Sequence, residues 1–162
     1  MIQKAYLAGG CFWGMEDLFR KLPGVIDTET GYTGGENKNP TYENHGSHAE
    51  ALEVIYESEK ISYKEILDFF FCVHNPTIQN RQGNDTGTAY RSAIFYQNEE
   101  ELKEAKNFIE IVNSSGKWQN PVVTTLEKFS HFWPAENYHQ DYLQKNPGGY
   151  TCHAIYFSSY LK

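Results

Sequence analysis

Cysteine is scarce in this sequence, with three in 162 residues. So few cannot build the disulfide framework of a small secreted domain. No Cys-x-x-Cys pair occurs, which argues against a paired redox dithiol or a zinc knuckle, and no His-Glu-x-x-His spacing takes its place. Basic residues are outnumbered: 14 Lys and Arg stand against 21 Asp and Glu, a formal net charge of −7. That balance argues against nucleic acid or an anionic membrane surface as the main partner. Long apolar runs are missing as well, and nothing approaches the roughly 20 residues of a membrane span. Met1-Ile2-Gln3-Lys4 leads into Ala5-Tyr6-Leu7-Ala8 without the charged start and long apolar stretch of a secretory signal. A cytoplasmic protein is the expectation.

What is abundant is aromatic. Phe, Trp and Tyr make up 15% of the chain, with 12 Tyr among them. A phenol is an apolar body with a polar tip, suited to a core or to a pocket for something partly polar. The length fits one domain over residues 1–162. Ile2 to Ala8 reads as a strand closed by Gly9-Gly10, and apolar residues recur at helical spacing from Cys11 to Leu22 before Pro23-Gly24. Val25 to Tyr32 and Ala51 to Tyr56 look extended, separated by a loop rich in Gly, Asn and Pro. Ser62 and Glu65 have capping-box spacing and predict a helix that stops near His74, ahead of Pro76. A polar loop follows from Asn75 to Thr88, then a strand over Ser92–Tyr96 and a charged amphipathic helix from Glu99 to Val112. A strand over Val122–Leu126, a short helix over Ala135–Leu143 and a glycine-started tail from Gly148 complete the chain.

Gly9-Gly10-Cys11-Phe12-Trp13-Gly14 is the most informative stretch. Glycines let the backbone turn sharply out of a strand and leave Cys11 at the start of a helix. Unpaired amides and the positive end of the helix dipole meet there, and both favour a thiolate, the attacking form of cysteine. Phe12 and Trp13 supply an apolar surface beside it. A small buried cysteine among core aromatics would leave the same pattern, so the residues alone keep both readings open.

The wider sequence resembles the peptide methionine sulfoxide reductase A family over nearly its whole length. Gly10-Cys11-Phe12-Trp13-Gly14 with Glu16 is similar to that family's nucleophile signature, and Gly31-Tyr32-Thr33-Gly34-Gly35 with Asn39-Pro40-Thr41-Tyr42 is similar to its next loop. His48-Ala49-Glu50, His74-Asn75-Pro76-Thr77 and the run from Arg81 to Ser92 follow in the family's order. The segment from Glu43 to Ala49 is shorter than the family's usual loop, Ser47 stands where a glycine is common, and Asn75 stands where an aspartate is frequent.

The resemblance implies an α+β fold, a ferredoxin-like two-layer α/β sandwich with long loops and a coiled C-terminal tail. It implies reduction of methionine S-sulfoxide, free or in proteins, with recycling by thioredoxin or a similar thiol reductant; a monomer without cofactor or metal is the accompanying expectation. Carried over by position, Cys11 is the nucleophile and Glu50 the acid. Tyr42, Tyr90 and Asp85 are polar members of the site, and Phe12 and Trp13 bind the substrate methyl group. Such chemistry has a physical need for these residue types. A sulfoxide oxygen leaves badly, so attack at sulfur requires a proton from a carboxyl kept neutral by burial, together with fixed hydrogen-bond donors. The sulfenic acid left on Cys11 then condenses with a second thiol. Cys152, in Gly148-Gly149-Tyr150-Thr151-Cys152-His153, is the expected resolving cysteine on a pliable tail, whereas Cys72, in Phe69-Phe70-Phe71-Cys72-Val73, reads as packed core. A scattered His and Cys metal site and a different thiol oxidoreductase are the rival readings; neither explains Phe12, Trp13, Tyr42, Glu50 and Tyr90 together.

Overall fold

The computed structural model describes residues 1–151 and 153–161. Its centre is a sheet built from β1 (Ile2–Gly9), β2 (Val25–Thr33), β3 (Ala49–Glu57), β6 (Ser92–Tyr96), β7 (Thr125–Lys128) and β8 (Trp133–Pro134). The strand order is β7-β6-β1-β3-β2-β8. Neighbours are antiparallel except β6 and β7, which run parallel. With α1 (Phe12–Phe19) between β1 and β2, and α2 (Tyr63–Cys72) between β3 and β6, the four inner strands follow the split βαβ plan of a ferredoxin-like sandwich. A separate ribbon of β4 (Arg81–Gln82) and β5 (Asp85–Thr86) forms inside the polar loop after α2.

Strand alternation assigns the two faces. Ala5 and Leu7 of β1 and Leu52, Val54 and Tyr56 of β3 join one apolar cluster, with Met15 and Phe19 of α1 and Ile66, Leu67, Phe70 and Phe71 of α2. α3 (Glu99–Ser114) closes this layer through Ala105, Phe108 and Val112, and the Phe71 and Phe108 rings stack with centroids 5.6 Å apart. Each fully buried Phe or Leu contributes about 1.5–3 kcal/mol over its exposed state. Tyr6, Ala8, Ala49, Ala51, Ala93 and Phe95 point to the other face, where Phe129 and Phe132 cover them. Tyr6 stacks on Phe129 at 4.0 Å.

Local signals hold where they are self-contained. Ser62 Oγ accepts from Glu65 N and Glu65 Oε1 accepts from Ser62 N, both at 3.1 Å, a complete capping box. Three expected elements differ. The helix begun at Cys11 ends at Phe19 because Lys21 and Leu22 turn tightly onto the carbonyls of Leu18 and Phe19. β7 starts at Thr125, since Val122 N bonds to Asn113 Oδ1 and Val123 N to the Pro76 carbonyl. The stretch expected as one helix over Ala135–Leu143 is instead a 3-10 turn at Asn137–His139 and a short α4 (Tyr142–Lys145), broken at Gln140 and Asp141.

Beyond residue 152 the described tail is held at several points. His153 Nε2 donates to the Gly9 carbonyl at 2.7 Å, Tyr156 N to the Cys72 carbonyl at 2.8 Å, and Ser159 Oγ and Tyr160 N to the Asp68 carboxylate. It is strapped across α1 and α2. No helix among the described residues is long and apolar enough to cross a membrane.

Candidate active site

Cys11 lies where β1 gives way to α1, as the N-cap residue, and is buried. Gly10 makes the turn with φ +100, a conformation that suits glycine, and a Cβ there would press on Gln82. The helix has no side-chain cap from Cys11. Instead, Phe12 N donates to Glu50 Oε1 at 3.2 Å, so a carboxyl 38 residues away occupies the first turn. Glu50 reaches that position because strand alternation puts it on the same face as Leu52 and Val54, opposite Tyr32 of β2.

Glu50 is 1% exposed, and its second oxygen, Oε2, is buried without a hydrogen-bond partner. Burial pushes the Glu50 carboxyl up to about 8, with the Phe12 amide and the Tyr90 hydroxyl opposing and Asp85 and Glu136 reinforcing the rise. A carboxyl in that range holds its proton at neutral pH. Burial also raises Tyr42 and Tyr90, and the charge at Glu50 raises both further. Tyr42 responds to Cys11 and Asp85 as well, so Cys11, Tyr42, Glu50, Asp85 and Tyr90 share one electrostatic neighbourhood. Tyr150 Oη donates to Asp85 Oδ2 at 3.2 Å, which brings the tail to the same place.

The apolar side of the site is an aromatic box. Phe12 is fully buried and packs against Tyr32 and His139, with centroids 5.7 and 5.0 Å away. Trp13 stacks face to face on Tyr142 at 3.8 Å, faces Tyr42 at 6.4 Å, and donates its Nε1–H to His139 Nδ1 at 2.9 Å. Burial lowers the His139 pKa, which favours the neutral ring. With Nδ1 accepting, Nε2 carries the proton, and it too is buried without a partner. Two orphaned polar atoms beside an aromatic box suit a ligand with an apolar body and a polar oxygen.

The sequence places neither His139, Tyr142 nor Glu136 in the reductase site, and His139 enters there only as one histidine of the rival metal reading. Glu136 accepts from Tyr32 Oη and Tyr42 N, and although burial works against it, these bonds keep its carboxyl below the usual carboxylate range. His48 belongs to a motif but serves the loop: its Nδ1 accepts from Gly35 N and its Nε2 donates to the Asn37 carbonyl. Asn75 accepts from Thr77 N and Thr77 Oγ1, a turn-forming role away from the box. Arg91 pairs with Glu127 and donates to the carbonyls of Gly34, Ser47 and Thr88, binding together the loops around the site. Cys72 is buried on α2, its thiol pushed up to about 12 by burial with Asp68 beside it, as expected of a packed cysteine. Cys152 lies outside the described residues. No group of three His, Cys, Asp or Glu among the described residues is placed to hold a metal ion.

The fold thus brings together a cysteine at a helix start, a buried carboxyl and a cluster of aromatic rings. A sequence model described as Peptide methionine sulfoxide reductase matches residues 3–160. The chain is 58% identical over 153 residues to a Peptide methionine sulfoxide reductase MsrA 2 of Rhodopirellula baltica, covering 94% of this chain and 91% of that protein. It is similar to the crystal structure of Mxr1 from Saccharomyces cerevisiae in reduced form, with TM-score 0.88, 38% identity, and coverage of 95% of this chain and 92% of that one. Mxr1 in complex with Trx2 superposes with TM-score 0.65 at 28% identity, over 95% and 89% of the two chains. The chain therefore belongs to the peptide methionine sulfoxide reductase family.

Proposed function

We propose that this protein reduces methionine S-sulfoxide, free or within proteins, to methionine. Cys11 attacks the sulfoxide sulfur as a thiolate from the start of α1. Glu50, and the phenols of Tyr42 and Tyr90, supply the proton and hydrogen bonds that the departing oxygen needs, with Asp85 completing the polar side. Phe12 and Trp13 hold the methyl end of the substrate. The balance is one thiol and one sulfoxide giving one thioether and one Cys11 sulfenic acid, the sulfur of methionine being reduced and that of Cys11 oxidised. Cys152 then displaces water from the sulfenic acid to give a disulfide, which a dithiol reductant such as thioredoxin reopens.

The observation that carries the reading is the buried, unpartnered Oε2 of Glu50, on a carboxyl raised to about 8 and bonded to the amide next to Cys11. A carboxyl kept protonated by burial beside a cysteine suits a proton donor. For the resolving role, support comes from the residues on either side of Cys152. A Cβ at Gly14, one turn along α1 from Cys11, would run into both Thr151 and His153. The Mxr1 complex with Trx2 supports a thioredoxin as reductant. The protein is read as a cytoplasmic monomer of one domain that has neither nucleic acid nor membrane as partner.

The test is consumption of racemic N-acetyl-methionine sulfoxide with dithiothreitol, read by chiral chromatography. Loss of the S epimer alone, abolished in Cys11→Ser, is the expected result. Loss of neither epimer by folded, reduced protein would reject the function; loss of the R epimer would reject the stereochemistry.

A further inference from the structure

Glu16 is a second buried carboxyl, 1% exposed, which the chemistry above does not use. It lies one helical turn after Trp13 on α1, so the helix that carries Cys11, Phe12 and Trp13 carries it too. Unlike Glu50, it has both oxygens engaged. Oε1 accepts from Asp141 N at 2.7 Å and Oε2 accepts from Thr28 Oγ1 at 2.9 Å.

The Asp141 bond is informative because of where it falls. Asp141 has φ +54 and ψ +36, the left-handed region that a non-glycine residue enters only when its surroundings fix it. Its carbonyl starts α4 by accepting from Gln144 N and Lys145 N. On one side of Asp141 lies Gln140, whose amide group bonds to Thr30 N, the Thr30 carbonyl and the Ala135 carbonyl. Immediately before that comes His139 on the edge of Trp13, and immediately after Asp141 comes Tyr142 on its face. Four consecutive residues thus grip α1 and β2, and two of them form a wall of the aromatic box.

We propose that Glu16 is a positioning residue for substrate binding: by holding the Asp141 amide it fixes the left-handed turn that presents His139 and Tyr142 to Trp13. It touches no reacting atom. Loosening it lets this wall move away from the pocket and leaves the Cys11 and Glu50 pair, on β1, α1 and β3, where it is. The effect falls on affinity for the sulfoxide and not on the chemical step. This inference rests on the proposed reductase activity.

Single-turnover formation of methionine across a series of sulfoxide concentrations separates the two quantities, and the amplitude counts active molecules. Glu16→Ala is expected to raise the half-saturating concentration about tenfold, with the limiting rate per active molecule within about twofold of the parent. Glu16→Gln, which keeps an acceptor for Asp141 N, should restore most of the affinity. In a Tyr142→Ala background, Glu16→Ala should add less than half of its own effect, because both changes remove one wall. Thr28→Val removes only the second bond and should give a smaller rise in the same direction, which keeps the test usable if Glu16→Ala folds poorly. An unchanged half-saturation in Glu16→Ala, or in Thr28→Val where only that variant folds, would overturn the proposal. So would a loss confined to amplitude, the sign of a merely structural carboxyl. Absence of methionine formation by the parent protein would instead reject the activity itself, so the two failures are distinct.

Discussion

Two residues apart on β3, Leu52 and Glu50 occupy the same face of the same sheet in opposite surroundings. Leu52 is packed among Leu7, Phe70 and other members of the large apolar cluster. Glu50, equally buried, sits under the first turn of α1 with one oxygen orphaned. Strand periodicity decides the face but not what comes to cover it. The apolar end of the face is stabilised by what it excludes from water. The polar end opposes stability, since holding Glu50 protonated while the unfolded chain would ionise costs about 3 kcal/mol at pH 7, a carboxyl at about 8 against 4.5.

Exchanging function for stability at these two positions breaks the comparison most sharply. Glu50→Gln, which cannot deliver a proton, should lower the single-turnover rate by about 10²–10⁴-fold. The native protein binds the extra proton, so its stability is greatest below the ordinary carboxylate range and declines as pH rises through about 8. Urea unfolding at pH 5 and pH 8 should therefore show a decline that is shallower in Glu50→Gln by about 3–4 kcal/mol; equal slopes would mean that Glu50 is ionised in the native protein. Leu52→Ala should do the reverse, costing about 2–5 kcal/mol in unfolding free energy while folded molecules keep the parent's limiting rate. A rate that fell in proportion to stability would show that the two ends of the face are not independent. The smallest effect sharpens the boundary between them: Tyr90→Phe removes one fixed donor and should slow methionine formation by about tenfold, roughly 1.4 kcal/mol, without moving the urea midpoint by a comparable amount.

The same contrast explains what could be read from the residues in order. The βαββαβ pattern, the Ser62–Glu65 capping box and the apolar stripe of α3 are short-range signals, and each is present in the folded molecule. Cys11, Phe12, Trp13, Tyr42, Glu50, Asp85 and Tyr90 were named because they stand in ordered motifs, and the fold brings them to one place. The wall formed by His139 and Tyr142 was missed. It depends on a left-handed aspartate held by a carboxyl 125 residues earlier, a bond that leaves no periodic trace. The helix expected across that segment failed for the same reason, because the bonds from Gln140 to Thr30 and from Asp141 to Glu16 outweigh local helical preference. The anchoring of the tail beyond residue 152 to Gly9, Asp68 and the Cys72 carbonyl was likewise not legible, because its partners lie far away in the sequence.

The missing side-chain cap on α1 has a consequence for the order in which the molecule becomes competent. The first amide of that helix donates to Glu50, which arrives when β3 inserts between β1 and β2. Contacts of such sequence separation form late, since loop closure must precede them. A chain in which β3 is not yet paired therefore has Cys11 without the Glu50 carboxyl beside it, and the two groups come together only as the middle of the sheet closes.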